Sequence, residues 1–166
     1  VNRYGLQKGP VNFTLFCRYL GGFTIGIIPA AIMVAVLGKP LSDFGVRFQD
    51  GMFSLYWVLA LTAIFIFINY FNTQKEKHLA FYPNVRAEEW SLGLLANTAL
   101  SWAVYLFGYE LMFRGFLLFA SIPLLGAWPA IVLNVVFYVL VHVPKNLEES
   151  IGAAPLGLLL CLITLT

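Results

Sequence analysis

An all-α bundle of about five membrane-crossing helices is what this sequence predicts, and three observations predict it. Of its 166 residues, 60% are hydrophobic and only 11% are charged, and the mean hydropathy of +0.83 lies far outside the range of water-soluble domains. The apolar residues come in long runs, most of them near the ~20 residues that a helix needs to cross the hydrocarbon layer. Polar residues gather between the runs, most clearly from Asn72 to Glu89. Lysine and arginine are dispersed and the net charge is only +2, so nucleic acid is excluded as a partner and the lipid bilayer is the expected one.

The first segment runs from Phe13 to Leu37. It carries Arg18 close enough to its start for the guanidinium to snorkel to the interface. Gly22 and Gly26 would let another helix of the same chain approach closely. A second segment runs from Met52 to Phe71. The third, Trp90 to Phe119, exceeds one perpendicular crossing and must tilt, break or leave the bilayer, with Gly108 the expected break. A turn is expected near Pro123 to Gly126. The fourth segment runs from Trp128 to Val143; Pro129 suits its first turn, and Pro144, which has no N–H, ends it. The last, Ala153 to Thr166, is half to two-thirds of a crossing and stops without a cap. With a start at Val1 and no signal peptide, the chain is expected to be a fragment truncated at its carboxy terminus. No internal repeat is visible, so residues 1–166 are expected to form a single transmembrane domain. Cys17 and Cys161 lie in apolar runs without metal-ligand spacing and are expected to be small core residues.

Orientation follows from the excess of Lys and Arg on the cytoplasmic side. A cytoplasmic amino terminus places Arg3, Lys8, Arg18, Lys75, Lys77, Arg86 and Lys145 inside and leaves only Lys39 and Arg47 outside.

A charge held inside a membrane is costly, so such residues point to function. Glu110 and Arg114 stand four apart and share a helix face, with the acid amino-terminal to the base, the better order for a pair. Gly115 beside them would admit a neighbouring helix. Asn134, Tyr138 and His142 form a second polar stripe on an otherwise apolar helix. Each has a plainer reading. The Glu–Arg pair could serve packing alone, and His142 could cap free carbonyls at a helix end. Asn97, Ser101 and Tyr105 read as a helix-packing face.

Tyr109-Glu110-Leu111-Met112-Phe113-Arg114-Gly115-Phe116-Leu117 resembles the first motif of the CAAX-protease and bacteriocin-processing (CPBP) intramembrane proteases, which include the prenyl-protein endopeptidases. That motif is Glu-Glu-x-x-x-Arg followed by Gly-Phe-Leu. Tyr138-x-x-x-His142, after the helix start Trp128-Pro129-Ala130, resembles the second, Phe-x-x-x-His. The resemblance covers roughly residues 90–166. The sequence departs from the family in having Tyr109 where the first glutamate stands, and the family's later His-x-x-x-Asn/Asp motif would fall beyond Thr166.

The resemblance implies a multi-pass protein of the bacterial cytoplasmic membrane that hydrolyses a peptide bond in a membrane-associated protein or peptide, or in a prenylated one. A membrane protein complex is a further partner to consider. Glu110, Arg114 and His142 are its candidate catalytic residues, with Glu110 as general base and His142 orienting water, stabilising the oxyanion or holding a metal. One histidine and one glutamate are too few for a closed zinc site, which takes three protein ligands plus water, so any divalent metal would need further ligands. The alternative is a catalytically inactive member of the family acting as a scaffold or partner-binding subunit. A transporter or channel subunit is a third class, though no paired discontinuous helices or symmetric halves are visible. One tension is geometric: in a simple hairpin, Glu110 and His142 would be offset along the axis by roughly 6 Å, at about 1.5 Å per residue.

Overall fold

The computed structural model describes residues 8–47, 50–87, 89–144 and 147–166, and among these the regular structure is helical, with no strand. The chain divides into two compact units, residues 1–14 with 47–89 and residues 15–46 with 90–166.

The first unit holds α3 (Gly51–Asn72) and the short α4 (Glu76–Phe81). α3 is apolar around its circumference and buries no residue, as a helix facing lipid does. The chain after α4 is tied by Arg86, whose guanidinium donates to the carbonyls of Leu79 at 2.8 Å and Pro83 at 3.1 Å. The polar stretch from Asn72 to Glu89 therefore contains a helix that its composition does not announce.

The second unit carries the long rods. α1 (Lys8–Gly22) continues through a π-helical turn, Phe23–Ile27, into α2 (Ile28–Leu37). The widened turn has a local cause. Pro29 has no N–H to give the ladder, and the preceding Ile28 N–H reaches back five residues to the Phe23 carbonyl. After α2 the chain forms a 3₁₀ turn, Leu41–Phe44. α5 (Leu92–Glu110) opens on Ser91, whose Oγ accepts the Leu94 N–H at 3.1 Å. It runs without interruption into a π-helical segment, Leu111–Leu118, and then α6 (Phe119–Leu125). Gly126, at φ 84°, turns the chain into α7 (Ala127–Leu140), a conformation that costs glycine no Cβ clash. α8 spans Leu147–Leu165.

Three helices are long and apolar enough to cross a membrane, Val11–Val36, Gly51–Asn72 and Leu92–Leu125; Ala127–Leu140 and Glu149–Leu165 are apolar but shorter. The predicted all-α bundle is thus what forms, with two details corrected. The third segment does not break at Gly108: the helix passes through that residue, and the departure from α geometry comes afterwards, at 111–118. Pro123 lies inside α6, so the turn is made by Gly126 alone.

Gly108 remains helical because it is a contact point. A Cβ on Gly26 would fall on the Gly108 Cα, one on Gly108 would lie 2.5 Å from the Gly22 carbonyl oxygen, and one on Gly22 would lie 2.6 Å from the Val104 carbonyl oxygen. The two backbones touch, and van der Waals contact without side chains is how helices associate where lipid removes the hydrophobic drive. The pairs Tyr19–Asn97, Gly22–Val104 and Gly26–Gly108 advance together, so the α1–α2 rod and α5 run parallel. The predicted packing face holds: the Tyr19 hydroxyl donates to Asn97 Oδ1 at 2.6 Å, and Arg18 Nη1 donates to Ser101 Oγ at 3.5 Å.

That contact changes the fate of Arg18. It does not snorkel; it is buried to 7% exposure with its guanidinium carbon 4.1 Å from the centre of the Trp102 ring. The close crossing at the glycines brings the aromatic face within reach, and in a dry setting a cation over an aromatic ring is worth about 2 kcal/mol. The two cysteines also part ways, Cys161 in the core and Cys17 exposed. Gly115 meets the Phe44 carbonyl oxygen, 3.1 Å from a Cβ built there, so the element it admits is the 3₁₀ turn.

Candidate functional site

The site is assembled where the π segment passes α7. Asn134 on α7, fully buried, donates from Nδ2 to the Phe113 carbonyl at 2.6 Å, and its Oδ1 accepts from Cys161 Sγ at 3.3 Å. The amide thus satisfies a backbone oxygen inside the π segment, where the helical ladder is out of α register, and ties 111–118 to both α7 and α8. Phe113, Tyr138 and Ala153 form the apolar cluster beneath, with Tyr109, Leu117 and Val139 packed against it.

Arg114 lies on this floor, 5% exposed. Its Nη1 is 3.2 Å from Glu110 Oε2, so the predicted ion pair is present. The contact is close but out of line for a hydrogen bond, and Nε, Nη1 and Nη2 are all buried without a hydrogen-bond partner. The guanidinium carbon sits 4.1 Å from the centre of the Tyr138 ring instead. Glu110 is the open end of the pair, with its side chain 40% exposed. A buried cation therefore holds a carboxylate that still meets its surroundings.

His142 follows the last turn of α7 and is half-buried. Its Nδ1 is 2.6 Å from the Tyr138 carbonyl oxygen. A carbonyl only accepts, so Nδ1 carries the hydrogen, and in the neutral ring Nε2 is left as an acceptor. The capping role expected at a helix end and an outward-facing nitrogen are thus compatible.

Tyr109 is the residue that sequence reasoning undervalued. Its ring centre is 4.7 Å from that of Phe113, 5.7 Å from Tyr138 and 6.4 Å from His142, the last in an edge-on arrangement at 88°. It also stacks on Tyr105 at 6.1 Å. The apparent axial mismatch between the two motifs is resolved at this ring, which spans from the π segment's side to His142. The spacing of Tyr105, Tyr109 and Phe113 by four was a visible signal; the partner across the helices was not.

Zinc would need three protein ligands. Among the described residues no group of three or more His, Cys, Asp or Glu side chains comes together, and His142 Nδ1 is committed to a carbonyl, so these residues do not make such a set.

Fold and site together define a helical membrane protein with an acid, a base and a histidine gathered at a π-helical segment within its apolar part. Residues 89–166 match the Rce1-like family model, type II CAAX prenyl endopeptidase, and the resemblance carried by the two motifs is borne out over that region. No curated protein and no solved structure matches the chain.

Proposed function

We propose that this protein is an intramembrane endopeptidase that hydrolyses a peptide bond of a membrane-associated or prenylated substrate. The observation that carries this reading is the division of labour at Glu110: Arg114 fixes the carboxylate from the buried side at 3.2 Å while 40% of its side chain stays exposed. A pair kept for packing alone has no need to leave its acid open.

Hydrolysis needs a base for water, a donor for the oxyanion and a proton for the leaving amine. Glu110 takes the proton from a water whose oxygen bonds to the scissile carbonyl carbon. Charge passes to the former carbonyl oxygen, and when the C–N bond breaks, Glu110 returns the proton to the amine. His142 Nε2 accepts the water's second hydrogen and orients it, with Nδ1 anchored on the Tyr138 carbonyl. Arg114 positions Glu110 and is a positioning residue. The same reading puts the amino terminus in the cytoplasm, on the strength of the positive-charge asymmetry.

The test is cleavage of membrane-anchored and prenylated peptides by the full-length protein in lipid nanodiscs. Glu110→Gln and His142→Ala should each lower kcat by at least about a hundredfold with folding intact, the size expected of general acid–base groups. Absence of cleavage by the wild type across the peptide set, or full activity of Glu110→Gln, would overturn the proposal.

A further inference from the structure

Two of the three polar groups assigned above are acceptors toward the reaction. Glu110 is a carboxylate, and His142 turns an acceptor Nε2 outward because its hydrogen is on Nδ1. Arg114 is occupied by Glu110 and the Tyr138 face. A tetrahedral oxygen carrying charge needs a donor, and these three leave that place open.

The Tyr109 hydroxyl is buried and has no hydrogen-bond partner. A hydroxyl taken from water without an acceptor is a standing cost, and native proteins keep few of them. Its ring is held on several sides, by Tyr105, Phe113, Tyr138 and the edge-on His142, so the oxygen cannot swing far to find a partner within the protein. Tyr109 is adjacent in sequence to Glu110 and its ring lies beside His142, the two groups that would hold the water. A peptide carbonyl placed against that water comes up beside this side chain, which is itself only partly buried.

We infer that the Tyr109 hydroxyl is the oxyanion donor of this site: its O–H donates to the substrate carbonyl oxygen as charge develops there. The proton is not transferred; it remains on the phenol while the attacking water's proton travels through Glu110. The inference rests on the peptidase reading and adds to it a catalytic residue at a position where the chain departs from the resembling family.

Tyr109→Phe removes only the oxygen and keeps the packed ring. In full-length protein in nanodiscs it should lower kcat by about 10²- to 10³-fold, the usual loss on removing one such donor, with KM held within about twofold. Binding of a peptide aldehyde, whose hydrate presents a tetrahedral oxygen, should weaken by a similar factor, while binding of the uncleaved peptide to the Glu110→Gln background should not change. Thermal stability should be equal or higher, because the lost hydroxyl had no partner; a fall in Tm would show that it bonds within the protein and would overturn the inference. Cleavage by Tyr109→Phe at the wild-type rate would overturn it while leaving the peptidase reading in place. Failure of the wild type to cleave any peptide would overturn both.

Discussion

The guanidinium carbon of Arg114 lies 4.1 Å from the centre of the Tyr138 ring, joining the π segment to α7 through a cation held on an aromatic face. The same cation holds Glu110 on its other side. Neither contact alone compensates a buried arginine; together they give it a counter-charge and a polarisable surface in place of water.

From this arrangement Tyr138→Leu should destabilise the protein by about 1–3 kcal/mol, because it takes the ring from beneath the cation and leaves buried donors without a substitute. Tyr138→Phe, which keeps the ring, should cost much less. A double-mutant cycle with Arg114→Met, followed by thermal unfolding in lipid, should show favourable coupling of about 1 kcal/mol or more. Additive effects would count against the contact.

The crossing of α1–α2 with α5 makes a second prediction. Gly108→Val should destabilise by about 3 kcal/mol or more, since a Cβ there meets the Gly22 backbone and neither main chain can yield as a side chain would. Gly152→Ala, with nothing within 4 Å of the added Cβ, should be neutral or stabilising by up to about 1 kcal/mol, because alanine is the better helix former. Equal effects at the two positions in a detergent melt would contradict the close crossing.

A third concerns Arg18. If its guanidinium rests on Trp102, Trp102→Leu should cost about 2 kcal/mol, and Arg18→Met combined with Trp102→Leu should recover part of that loss by removing the stranded cation. An arginine that snorkelled to the interface would be indifferent to Trp102, so the pair of unfolding curves separates the two placements.

Much of this molecule was legible in the chain. Long apolar runs, the prolines and the position of Gly126 marked where helices begin, continue and turn. The spacing of four placed Glu110 with Arg114, and that pair is present. The stripe Asn97, Ser101 and Tyr105 was readable as a packing face because small and polar residues on one face of an apolar helix have few other uses. The Gly22 and Gly26 spacing marked a close contact, although its partner, Gly108, was expected to be a break. These features are local: a helix repeats every 3.6 residues, and whatever depends on that period is written in neighbouring positions.

Other features depend on which helices meet and at what height. Arg18 and Ser101 are 83 residues apart in the chain, and no periodicity says that one will lie on the other. Trp102 reaches Arg18 only because three glycines let two backbones touch. The axial offset between the two motifs was computed for ideal α-helices, whereas 111–118 is π-helical and Asn134 pins it through the Phe113 carbonyl. That change of register decides what faces His142: the Tyr109 ring, 6.4 Å away. The sequence by itself determined the membrane helices and the acid–base pair, because burial in lipid and helical spacing act along the chain. Only the tertiary structure decided where the cations rest and which hydroxyl is left unpartnered, because those outcomes depend on contacts that close approach of distant backbones creates.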